Sequence, residues 1–356
     1  MKPLLTYLKN FFASKRIAGE DRSLRGLLKA DSLLGSLISE KKVPGLAISV
    51  LKQGQTIFQQ GYGHADLAAE NGVDPQKTIF RVASVSKPIA ATALAHLVAE
   101  GIIDLDASFY TYVPYYPKKA YDFTIRQLAG HTAGIRSYKG KEYALNRPYS
   151  IKEGIGVFKD DELLFEPGTD YLYNSYDWAL ISLAMQEASG QAFEEIVQYR
   201  VLQPLDMRHT FPEISGDSKF SGTIFYSKAQ DGFRKAVSVD NFYKLAGGGY
   251  LSTSEDIAKL GQAYLERAIT DTTIISEFLK PLSIKGKSTY YGLGWEVSMD
   301  KNNRMYYGHV GNGVGGYSNF YVYPEEQMVV SILINCTDPK IQELLDEAIN
   351  LIFELE

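Results

Sequence analysis

The chain has 356 residues, of which 45% are hydrophobic and 22% charged, with a formal net charge of -5. That length can bury a large core and supports two lobes. The balance is that of an ordinary globular protein and argues against nucleic acid as a partner. Cys336 is the only cysteine, so no internal disulfide can form. Its place in the apolar run Val329 to Asn335 suits a buried, inert thiol and leaves the redox compartment open.

In chain order, Met1-Lys2-Pro3-Leu4-Leu5 opens like a signal peptide, but Lys9, Asn10, Lys15 and Arg16 interrupt the apolar region such a signal needs. Phe11 and Phe12 with their basic neighbours read as a short surface helix. Residues 1–22 are therefore an N-terminal extension, membrane association is not expected, and no stretch is apolar enough to span a bilayer. Leu24, Leu27, Leu28, Leu33, Leu34, Leu37 and Ile38 recur at helical spacing, predicting an amphipathic helix that ends near Lys42. Gly45 to Leu51, then Gln53-Gly54, then Gln55 to Phe58 predicts a β-hairpin. Ser84-Val85-Ser86-Lys87-Pro88 and the apolar run Ile89 to Glu100 predict a buried helix closed by Gly101.

Between about Leu105 and Lys244 the chain turns to tyrosines, prolines and short helical pieces, such as Tyr176 to Ala188 and Phe193 to Val201. Strand patterns return at Gly292 to Val297, Arg304 to Val310, Tyr317 to Val322 and Met328 to Ile334, the last two joined by a turn at Pro324 to Gln327. Ile341 to Phe353 predicts a closing amphipathic helix. An early hairpin and a late meander imply one antiparallel sheet built from both ends of the chain, with a helical insertion. The expected division is an α/β domain from 23–105 and 245–356 and a helical domain from 106–244.

Ser84 and Lys87 are the candidate catalytic pair. Ser-x-x-Lys at a helix start puts a hydroxyl and an amine on one face, and the helix N-terminus favours negative charge beside the serine. Ser39-Glu40-Lys41-Lys42 and Ser298-Met299-Asp300-Lys301 share the spacing, but neither opens an apolar helix. No Gly-x-Ser-x-Gly elbow occurs, which argues against an α/β-hydrolase. The histidines, His64, His96, His131, His209 and His309, lack metal-ligand spacing. Gly311 to Gly316 fits a dinucleotide fingerprint, but the alternating run Tyr317 to Val322 that follows is a strand where the fingerprint needs a helix. No metal or cofactor is implied.

Phe80 to Lys87, the segment Thr124 to Ile135 with Leu128-Ala129-Gly130-His131-Thr132-Ala133-Gly134, Tyr173-Asn174-Ser175, Ala246 to Thr253 and His309-Val310-Gly311 follow one another in order. In these motifs the chain resembles the penicillin-binding and serine β-lactamase-like hydrolases, class C-like, over roughly residues 43 to 335. The stretch Val239 to Lys244 with its glycines looks closest to the mitochondrial branch of that family and its bacterial relatives. The resemblance implies an α/β fold of β-lactamase and transpeptidase type, with an antiparallel sheet flanked by terminal helices and an inserted, mostly helical lobe. It implies a metal-independent serine hydrolase working through an acyl-enzyme on an ester, amide or peptide, a small-molecule or peptide substrate.

The same resemblance assigns Ser84 as nucleophile, Lys87 and Tyr173 as proton carriers, and the backbone N–H groups of Ser84 and Asn312 as the oxyanion hole. Ser175, His309 and Gly311 would contact substrate. Ser175 stands where the family has asparagine, and His309-Val310 where it often has lysine and a hydroxyl residue. A histidine of ordinary pKa is mostly neutral at pH 7, so a weakened grip on substrate carboxylates is expected. His131 is expected to be structural, holding the loop before Gly134, whereas Asn241 and Tyr243 are expected at the cleft. A true β-lactamase or D,D-carboxypeptidase is the alternative within catalysis. A binding or filament-forming scaffold with little turnover is the alternative of another class. Relatives of this family are often periplasmic or exported; the oligomeric state is left open.

Overall fold

The computed structural model describes residues 16–17, 21–214 and 222–354. The helix expected around Phe11 and Phe12 lies outside the described residues. The first helix, α1 (Asp21–Ser39), stops short of Lys42 because Lys41 turns left-handed, with φ 53°. Strands β1 (Gly45–Lys52) and β2 (Gln55–Asp66) form the hairpin. Helix α2 (Ser86–Ala99) follows, then the insertion with α3 (Ile125–Ala129) and α4 (Tyr176–Ser189). Helix α5 (Ser254–Leu265) leads back to the sheet. Strands β3 (Glu296–Met299), β4 (Met305–Gly313), β5 (Gly316–Tyr323) and β6 (Met328–Ile334) form the meander, and α6 (Gln342–Phe353) closes the described chain.

The sheet runs β2-β1-β6-β5-β4-β3 with all neighbours antiparallel, and the pair Arg16–Ile17 adds a short strand outside β2. The pairing of β1 with β6, Ile48 opposite Ile332, joins the two ends of the chain as the sequence pattern requires. Side-chain alternation then sorts the two faces. Leu46, Ile48 and Val50 pack with Leu34, Leu345 and Ile349 of α1 and α6. Ala47, Val329, Leu333 and Phe320 face α5 and the helical layer through Ile257 and Leu260. Helix α2 is apolar on all sides because it lies inside this second layer, where Ile89, Ala90, Ala93, Leu94 and Leu97 are all buried.

Two further element boundaries differ from the sequence pattern. The run from Gly292 is not a strand until Glu296: Gly292 N–H bonds to the Trp295 carbonyl and Gly294 has φ 84°, so the chain turns first. The helix from Phe193 holds α geometry only to Val197 and continues as a wider π turn over Gln198–Leu202. The remaining Ser-x-x-Lys sequences run off the end of α1 and off the end of β3, neither at a helix start.

Candidate active site

Ser84 sits on a tight turn, Ala83–Val85, that runs directly into α2. Ala83 has φ 46°, a left-handed conformation that costs a non-glycine residue about 1–3 kcal/mol and persists only where the surroundings impose it. They do. Val82 N–H bonds to the Tyr250 carbonyl, Ser318 Oγ donates to the Val82 carbonyl at 2.7 Å, and Ser86 Oγ accepts from Tyr250 N at 3.1 Å. Ser86 is thus committed to structure and fully buried, which leaves Ser84 as the free hydroxyl of the motif.

Lys87 Nζ lies 3.1 Å from Ser84 Oγ, 2.7 Å from Tyr173 Oη and 2.9 Å from the Gly247 carbonyl. Tyr173 Oη donates to Ser84 Oγ at 2.7 Å, so the three groups close a triangle. Lys87 is completely buried. Burial pulls its amine down to about 7, against the charges of Asp177 and Glu296, which favour the ammonium; Lys244 adds to the fall. As an ammonium, Lys87 donates to all three partners. On losing a proton it must keep one N–H on the Gly247 carbonyl, which can only accept, and its lone pair is left among the two hydroxyls. That is an arrangement able to take a proton from Ser84. Tyr173 as a residue is 36% exposed, but its hydroxyl is enclosed by Ser84 and Lys87. Desolvation holds its pKa well above 10, with the Ser84 hydrogen bond opposing. The Lys87 amine is therefore able to accept a proton near neutrality, while the Tyr173 hydroxyl stays protonated.

His131 lies beneath Tyr173, with ring centroids 4.7 Å apart. It is buried, and its Nδ1 meets Asp177 Oδ2 at 2.7 Å. Burial lowers the imidazole well below 6.5, with Lys87 and His309 adding to the fall. Its backbone carbonyl accepts from Leu172 N, which ties the loop before Gly134 to the segment carrying Tyr173. Asn174 points away, donating to Asp177 and to the Ile135 carbonyl.

The structure places His309 on β4 at the cleft floor, where it is only 1% exposed. Its Nδ1 must donate to the Val310 carbonyl at 2.7 Å, so Nε2 accepts from Tyr291 Oη at 3.0 Å. Both ring nitrogens are thus occupied. Burial, with repulsion from Lys87, pushes the pKa down to about 3, and the ring is uncharged. Tyr291, Glu296 and the Gly247 carbonyl are site groups that sequence reasoning missed. The strand pattern over Gly292 to Val297 contains Glu296 but gave no sign that this residue faced a cleft.

Strand β4 passes directly beside Ser84. A Cβ on Gly311 would stand 2.2 Å from Ser318 Oγ, 2.5 Å from the Val82 carbonyl and 3.0 Å from Ser84 N. Gly311 is therefore a spacer that brings Asn312 alongside Ser84. Both of these line two adjoining cavities. The first, of about 340 Å³, includes Arg81, Tyr138, Ser175, Asn241 and Lys244. The second, of about 410 Å³, includes Tyr173, Tyr291, Glu296 and His309. Asn241 reaches the first cavity as expected and donates to Glu213 Oε2 at 2.8 Å. Tyr243 does not; it is fully buried with its hydroxyl on the Glu142 carbonyl, and its neighbour Lys244 lines the cavity instead.

A family model described as Beta-lactamase matches residues 24–353. The chain is 25% identical over 401 residues to the serine β-lactamase-like protein LACTB, mitochondrial, of Homo sapiens, covering 85% of this chain and 73% of that protein. The octameric penicillin-binding protein homologue from Pyrococcus abyssi superposes with a TM-score of 0.81 at 24% identity, over 92% of this chain and 77% of that one. D-amino acid amidase from Ochrobactrum anthropi SV3 also gives 0.81, at 21% identity over 93% and 99% of the two chains. These last two likenesses show the fold.

Proposed function

This chain belongs to the β-lactamase family, a serine hydrolase superfamily, and from that premise we propose that it cleaves esters or amides through an acyl-enzyme on Ser84. The observation that carries the reading is the triangle of Ser84, Lys87 and Tyr173, with an amine held near 7 by burial. Lys87 takes the Ser84 proton as the hydroxyl attacks the acyl carbon, and Tyr173 passes a proton to the departing group. The N–H groups of Ser84 and Asn312, on the turn and on β4, serve the oxyanion. Water then completes the cycle by the reverse transfers.

His309 favours esters, amides or peptides without an anchoring carboxylate over β-lactams, because its ring is neutral and both nitrogens are engaged. That observation sets the β-lactamase and D,D-carboxypeptidase reading second. A panel of p-nitrophenyl esters, D- and L-amino-acid anilides and nitrocefin, run on wild type and Ser84→Ala, tests the reading. Turnover of an ester or anilide that Ser84→Ala loses supports it. A kcat/KM for nitrocefin equal to that for the best ester would remove the stated preference.

A further inference from the structure

The two cavities flanking Ser84 differ in charge. The first has two cations, Arg81 and Lys244, and one carboxylate, Asp338, in its wall; Arg81 is paired with Glu213, and Lys244 Nζ donates to the Tyr143 carbonyl at 2.8 Å. The second has no cation in its wall: Tyr171, Tyr173, Tyr290, Tyr291 and Tyr306 surround one carboxylate, Glu296. Glu296 Oε1 accepts weakly from Val310 N at 3.4 Å. The uncharged His309 ring stands 3.4 Å from the same oxygen, and Lys87 acts on the carboxylate from farther off. Desolvation raises this carboxyl to about 7, with Val310 N–H and Lys87 opposing. A carboxylate so placed gains from an incoming cation, and ring faces attract the same cation through their quadrupoles. The rings stand close together, Tyr173 and Tyr291 at 5.9 Å and Tyr171 and Tyr291 at 6.3 Å.

Which half of a substrate enters this cavity follows from the proton path. Tyr173 lines the second cavity and not the first, and the group that protonates a departing atom must stand on that atom's side. We infer that the leaving group of the substrate carries a positive charge, an alkylammonium seated among the tyrosines with its cation toward Glu296. This rests on the acyl-enzyme reading above. Ser84 Oγ bonds to the acyl carbon, and the bond from that carbon to the leaving atom breaks with its electron pair going to that atom. The Ser84 proton ends on the departing alcohol, thiol or amine. Water then adds to the acyl carbon, releasing a carboxylic acid and restoring the Ser84 hydroxyl.

Three thioesters with one acyl group test this: butyrylthiocholine, its neutral isostere 3,3-dimethylbutyl thiobutyrate, and S-butyryl-3-mercaptopropionate. Released thiol is read in each case. The expected order of kcat/KM is cation, neutral, anion, with the cation at least tenfold above its isostere, about 1.4 kcal/mol. Glu296→Gln lowers that ratio at least fivefold. If Glu296→Gln does not fold, Tyr290→Ala at the exposed mouth lowers it at least threefold. A wild-type ratio at or below one, or an unchanged ratio in the folded variant, overturns the inference. So does wild type that a fluorophosphonate labels at Ser84 but that turns over none of the three. Folded wild type with neither thioester turnover nor labelling at Ser84 overturns the acyl-enzyme reading instead.

Discussion

In the proposed mechanism the chemistry turns on Lys87, whose buried amine has only polar, uncharged hydrogen-bond partners. With its pKa at about 7, the form able to accept a proton gains population as pH rises through neutrality. The pH profile of kcat/KM for a neutral ester should show an acid limb with an apparent pKa near 7 and a plateau above it; a flat profile from pH 5 to 9 would contradict that assignment. Tyr173→Phe keeps the ring over His131 and removes the relay, so kcat falls by about 10²–10⁴-fold while the fold is retained. The same shift is a stability statement. Below about 7 the folded and unfolded chains both carry the ammonium, and the burial cost is present in full. Between about 7 and the ordinary 10.5 the unfolded chain holds a proton that the folded chain has lost, so stability rises with pH. Unfolding free energies of wild type minus Lys87→Met should therefore increase between pH 7 and 9, by on the order of 2–3 kcal/mol.

At the scale of elements, the site depends on how closely β4 approaches the turn before α2. Gly311→Ala would drive a methyl into Ser318 Oγ and the Val82 carbonyl, so it should cost about 1–3 kcal/mol and shift Asn312 away from Ser84, seen as a lower Tm and a lower kcat. Ser318→Ala leaves the buried Val82 carbonyl without that hydrogen bond and should cost about 1–2 kcal/mol. The elements themselves were largely legible. The leucines of α1, the β1–β2 hairpin, the apolar α2 and the strands β5 and β6 announce themselves by period and by turn residues. Their ends were less so, because a left-handed Lys41, a turn at Gly294 and a π turn after Val197 are settled by tertiary contacts. Ser84, Lys87 and Tyr173 were legible through motif order. Tyr291, Glu296 and the Gly247 carbonyl were not, since each enters the site by a chain reversal that no local pattern records.

Across the whole molecule, the site lies on one face of the sheet and the packing of the terminal helices on the other. The triangle and its floor draw on Ser84, Lys87, Tyr173, Gly247 and His309, whereas Leu345 packs on the opposite face with Ile48 and Ile332. Leu345→Ala should therefore lower stability by about 2–5 kcal/mol and leave kcat/KM at moderate temperature unchanged; a matching loss of activity would show that the back layer positions the site. The cleft between sheet and helical layer explains why a lysine can be buried at all: the first turns of α2, Ser86 to Ala95, are enclosed on every side, and solvent reaches the motif only at Ser84, on the turn before the helix. The measurement that tests the account most directly is covalent labelling by a fluorophosphonate, followed by peptide mapping by mass spectrometry. The predicted result is a single adduct on Ser84, formed slowly in Lys87→Met and absent in Ser84→Ala. Folded wild type that takes no adduct, or takes it at another serine, would contradict the account.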